Sequence, residues 1–84
     1  MTQAPMVGSW PVEVRAVQPF TIHGDLYFEL DVARTDEPAV TPDGRVRVWT
    51  FRVPEHAAPD GAPRVGDRLV LTFLMGQVTS AKKG

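Results

Sequence analysis

Apolar residues recur at every second position along this chain, and no stretch of useful length carries the three-to-four spacing of a helix. The run LYFELDVA is the clearest case. Leu26, Phe28, Leu30 and Val32 take one side, while Tyr27, Glu29 and Asp31 take the other, because successive side chains of a strand point to opposite faces. A chain patterned in this way hides its apolar faces only by packing sheet against sheet or by curling one sheet upon itself.

The same alternation predicts the other strands. WPVEVRAV sets Trp10, Val12, Val14 and Ala16 against Glu13 and Arg15, with Pro11 suited to an early or edge position because it donates no ladder bond. IHGD follows as a tight turn in which Gly24 is free to take positive φ. Thr41-Pro42-Asp43-Gly44 is a second turn, with proline presetting φ and glycine closing it. It leads into RVRVWTFRV, where the alternation assigns Val46 and Val48 to the buried face and Arg45, Arg47, Trp49 and Phe51 to the opposite one. A bulge near Thr50 would reverse the last two, since a one-residue slip exchanges faces. PEHAAPDGAP holds room for one helical turn at EHAA, not for a helix. GDRLVLTFLM is apolar on both sides and is expected to be the most enclosed strand; Gly76 ends it, and QVTSA forms a short last strand.

With 84 residues the chain makes one domain. The expected divisions are a flexible segment over 1–8, a barrel over 9–81 and a polar tail over 82–84. There is no cysteine, so neither a disulfide framework nor a thiolate metal site exists. No apolar run reaches the length of a membrane helix and the start has no signal-peptide pattern, so a soluble cytoplasmic protein with no membrane role is expected. Net charge is −1, yet residues 1–44 carry two arginines against seven acids, and residues 45–84 carry seven basic groups against three acids. Such asymmetry either marks an interaction surface or brings acidic and basic strands side by side.

Five strands joined by turns, with no room for crossover helices, predict an antiparallel all-β domain. The layout resembles the OB-fold. Two long strands are followed by a long 2–3 hairpin, a connector, VGDRLVLTF with its Gly66-Asp67 opening, and a short strand after glycine. The proline-rich connector departs from the helix many OB-folds place there, and an SH3-like barrel is the alternative architecture. The OB resemblance implies that a ligand lies across strands 2 and 3, flanked by the 1–2 and 4–5 loops. Carried onto this chain, the surface is Tyr27, Arg45, Arg47, Trp49 and Phe51, joined by Arg52 from the strand end, by Arg15 from strand 1 and by His23 in the first turn. Aromatic rings that stack bases and cations that follow phosphates make single-stranded nucleic acid the expected ligand.

Two features pull the other way. Asp25, Glu29 and Asp31 project from the same face as Tyr27, where they would pair with arginines and cancel attraction for phosphate. Tyrosine, tryptophan and arginine are also the residues most enriched in protein interfaces, so a protein partner or a homodimer is the alternative. No nucleophile context, metal spacing, calcium loop or phosphate-binding loop is present in the sequence, and the expectation is a non-catalytic module without cofactor or metal.

Overall fold

A computed structural model describes residues 6–38 and 40–84. Five strands, β1 (Val7–Ile22), β2 (Asp25–Arg34), β3 (Trp49–Pro54), β4 (Arg68–Leu74) and β5 (Gln77–Lys83), form one antiparallel sheet in the order β3-β2-β1-β4-β5. A single 3-10 turn at Glu55–Ala57 occupies the connector, where EHAA had room for one. The sheet curls until residues of β3 and β5 approach each other, but no ladder joins these two strands among the described residues. The fold is therefore an all-β antiparallel sheet, and closure into a barrel is not observed.

β1 spans sixteen residues and serves two neighbours. Its first half, Val7 to Glu13, pairs with β4; its second half, from Val12 onward, pairs with β2. The strand bends where it changes partner. There the register with β2 shifts between Val14 and Ala16, and Val14 exchanges backbone bonds with Asp67 and Gly66 instead. This bulge at Arg15 exchanges the faces that follow it. Val12 and Val14 are buried, but Ala16, expected beside them, is exposed opposite Asp31, and Val17 takes the inward place opposite Leu30.

Both short hairpins use two-residue loops in which each residue has positive φ: His23 at 51° and Gly24 at 85°, Met75 at 53° and Gly76 at 78°. This is the backbone of a type I′ turn, whose twist matches that of the strands it joins.

The core consists of Val12 and Val14 of β1, Phe28, Leu30 and Val32 of β2, Phe51 and Val53 of β3, Leu69, Leu71 and Phe73 of β4, and Val78 and Ala81 of β5, closed by Ala57. β4 buries Leu69, Leu71 and Phe73, but it is not the most enclosed strand: Leu74 at its end and Met75 just beyond are exposed, and β2 buries four residues. Two boundaries differ from expectation. β1 begins at Val7, inside the segment expected to be flexible, and β5 runs through Lys82 and Lys83; Met1 to Pro5 lie outside the described residues.

The larger correction concerns the third strand. β3 begins only at Trp49, and its pairing sets Trp49 opposite Val32, Phe51 opposite Leu30 and Val53 opposite Phe28. Directly opposed residues of an antiparallel pair share a face, so the apolar face of β2 draws these side chains inward. Phe51 is 7% exposed, whereas Val46 is 51% exposed and Val48 also lies open. Burying a phenylalanine and much of a tryptophan removes more apolar surface from water than burying two valines. The turn Thr41–Gly44 closes a small hairpin of its own, with a bridge from Val40 to Val46, and carries residues 45–48 off the sheet.

Candidate functional site

The parity of β3 divides the expected surface into three places. Trp49 lies at the inner, apolar end. Its ring centroid is 4.9 Å from that of Trp10, which also meets Phe51 at 5.8 Å and Phe73 at 5.2 Å, all edge to face. The Trp49 indole nitrogen is hidden from solvent and has no hydrogen-bond partner among the described residues. Over Trp10 lies the Arg34 guanidinium, 4.2 Å from the ring centroid, which donates two hydrogen bonds to Asp36 at 2.8 and 2.7 Å. Those bonds hold the Asp36 carboxyl below its ordinary range and raise Arg34 above its own. Phe51 is thus buried in the packing, and Trp49 is packed, partly buried, against it.

Arg45 and Arg47 lie in the loop. Arg45, 85% exposed at its side chain, stands 3.4 Å from Asp43, and Arg47 stands 3.6 Å from Glu37. The Thr41 hydroxyl bonds Asp43 and holds that carboxyl low as well. His23 is exposed in the first turn. None of these lines the groove described next.

The outward face of β1, β2 and β3 carries the remaining candidates. Rows set by the register read Phe20, Tyr27, Pro54; then Gln18, Glu29, Arg52; then Ala16, Asp31, Thr50. Phe20 and Tyr27 are stacked, with centroids 5.6 Å apart and planes 19° apart. Arg52 reaches diagonally, its guanidinium carbon 5.4 Å from the centre of the Phe20 ring and its Nε 3.7 Å from Glu29 Oε2. Thr50 donates to Asp31 Oδ1 at 2.8 Å. An open groove of about 760 Å³ runs along this face into the gap between β3 and β5. Ile22 lies at one end, Tyr27, Glu29, Thr50 and Arg52 form the wall, and Gly76, Gln77 and Val78 of the second hairpin form the far rim. Phe51 contributes to the floor.

Of the eight residues singled out in the sequence, Tyr27 and Arg52 meet on this wall, Phe51 reaches the groove only from the core side, and Arg15 stands at the bulge of β1, 3.2 Å from Glu13 and outside the groove lining. Phe20 and Gln77 escaped the sequence reading, whereas Glu29 lies on the face expected for it and stands 3.7 Å from Arg52. The signal for Phe20 is the spacing of the inward valines of β1, at 12, 14 and then 17: the step of three reports the bulge that turns Phe20 outward.

The charge around Tyr27 is acidic. Asp25 and Glu55 share a second, smaller depression with Tyr27 and His56, and Glu29 and Asp31 flank the groove. Arg52 is the one arginine or lysine in this set. Among the described residues no group of three histidine or acidic side chains is arranged to hold a metal ion, and no helix is long and apolar enough to cross a membrane. Comparison with protein families, curated proteins and solved structures finds no match to this chain.

Proposed function

We propose that this chain is a non-catalytic binding module of OB-like layout, whose groove on the β2–β3 face holds an extended segment of another polypeptide. The strand order supports the layout. Joining β3 to β5 would complete the circuit β1-β2-β3-β5-β4, with a long bent first strand shared by two neighbours. The groove also lies on the face, and between the two loops, where that architecture holds its ligands.

The observation that supports this ligand class is the charge around Tyr27. Glu29 lines the groove, Asp25 and Glu55 line the neighbouring depression and Asp31 lies on the same outward face, while Arg52 is the one arginine or lysine lining either depression. Single-stranded nucleic acid binds through neutralised phosphates, and four carboxylates oppose that attraction. A polypeptide carries no obligatory negative charge. It also finds a use for the β3 edge, which has one strand neighbour among the described residues and leaves main-chain groups available for strand addition. Apolar Ile22 on the rim and Leu74 and Met75 beside the second hairpin are exposed and suit the same kind of partner.

The test is fluorescence anisotropy at low salt with unstructured labelled peptides of differing charge and with an oligothymidylate. Peptide binding is expected, weakened about tenfold by Tyr27→Ala, the size typical of losing an aromatic anchor. The oligothymidylate should stay free. Salt-sensitive oligonucleotide binding that Tyr27→Ala removes would transfer the site to nucleic acid, and a chain that binds neither probe would end the proposal.

A further inference from the structure

We infer that the wall of the groove contains a subsite for a lysine or arginine side chain of the bound polypeptide, and that Arg52 fills this subsite in the free protein. The inference rests on the groove being a polypeptide site, and it adds the chemistry of the residue selected.

The stacked pair of Phe20 and Tyr27, each partly exposed, stands at the edge of the groove, which Tyr27 lines. One register row away stands the Glu29 carboxylate, and Asp31 follows two residues later on the same face. An aromatic face beside carboxylates is the combination that attracts a guanidinium or ammonium group, through the ring quadrupole and through charge-assisted hydrogen bonds. Arg52 already uses both halves of it, lying 5.4 Å from the Phe20 ring centre and 3.7 Å from Glu29.

Its hold is weak. The Arg52 side chain is 67% exposed and its contact with Glu29 is longer than a hydrogen bond, so solvent screens most of the attraction. A cation delivered by a ligand anchored elsewhere in the groove can take its place. When Arg52 swings away the groove widens, because Arg52 is part of its wall. Asp31 keeps its Thr50 hydrogen bond through one oxygen and has the other available. The acidic excess around Tyr27 then has a purpose: it is complementary to a basic segment.

The experiment titrates the full chain with N-acetyl-arginine amide while the ring signals of Phe20 and Tyr27 are followed by NMR. N-acetyl-norleucine amide serves as the uncharged probe. Binding of the arginine probe should shift both rings and be tightened about two- to fivefold by Arg52→Ala, the factor expected when a surface cation–π competitor is removed. Glu29→Gln should weaken it by a similar factor. Arg45→Ala makes the same change of net charge away from the groove and should leave the affinity unaltered. Equal responses to Arg52→Ala and Arg45→Ala, or equal binding of the two probes, would overturn the subsite. A chain that binds neutral peptides in the groove and ignores the arginine probe keeps the proposed function and loses this inference. A chain that binds the probe and no longer peptide keeps the subsite and loses the polypeptide reading.

Discussion

Phe51 and Tyr27 are both aromatic, yet they sit on opposite faces of neighbouring strands, and their loss should be felt differently. Phe51 contacts Phe73 and Trp10 with ring centroids 5.1 and 5.8 Å apart. Phe51→Ala therefore removes transfer energy and leaves a cavity, at a cost of about 3–5 kcal/mol, which is a large part of what a domain of this size possesses. Tyr27→Ala forfeits a stacked pair at the surface, worth about 0.5–1.5 kcal/mol. Urea unfolding followed by tryptophan emission measures both, and equal losses would contradict the inward parity of β3. Acid should act at two other residues. The folded Asp36 and Asp43 carboxyls titrate below their ordinary value of 3.8, held by Arg34 and by the Thr41 hydroxyl. Their contribution is complete above that value and fades as pH falls through the lower folded values. Unfolding midpoints between pH 5 and 2, as ordinary acid-titration limits, should decline less steeply in Asp36→Asn than in the parent chain; an identical slope would show that Asp36 takes no part.

Strands and their turns were mostly legible because period-two alternation and positive-φ residues are local properties. LYFELDVA became β2 with its expected faces, and Gly24 and Gly76 sit in the two tight turns. Those glycines make the next expectation. A Cβ built at either meets nothing within 4 Å, so Gly24→Ala and Gly76→Ala lose only backbone preference, about 1–2 kcal/mol each. Met75 already adopts φ of 53° and is 75% exposed, so Met75→Gly should cost nothing or raise stability by up to ~1 kcal/mol. Thermal unfolding distinguishes these outcomes, and a destabilising Met75→Gly would mean that the side chain holds a contact. Local pattern failed where a distant strand decided the outcome. RVRVWTFRV alternates as well with valines inside as with rings inside, and only the register with β2, set by Leu30 against Phe51, separates the two. The same limit hid Phe20, because a bulge depends on which strand β1 is leaving. Tyr27 was readable since no irregularity intervenes between it and the face its pattern assigns; Arg52 faces outward because the parity of β3 is the reverse of the one its alternation suggests.

At the scale of the whole molecule the decisive feature is the gap between β3 and β5. Each has one strand neighbour among the described residues, β2 for the first and β4 for the second. In an antiparallel ladder only alternate residues of an edge strand direct their N–H and C=O groups to the single neighbour; the others point outward. Amide hydrogen exchange should therefore split β3 into alternating slow and fast positions, while Tyr27 to Val32 of β2, paired with both β1 and β3, stay slow throughout. A sheet hydrogen-bonded into a full circle would protect consecutive amides of β3 alike. The same measurement bears on function. A polypeptide that joins β3 by strand addition must protect the fast set and leave the slow set nearly unchanged, whereas a ligand that only stacks on Phe20 and Tyr27 would protect neither. Uniform protection of β3 in the free chain would remove the available edge, and with it the reason for an extended polypeptide to lie there.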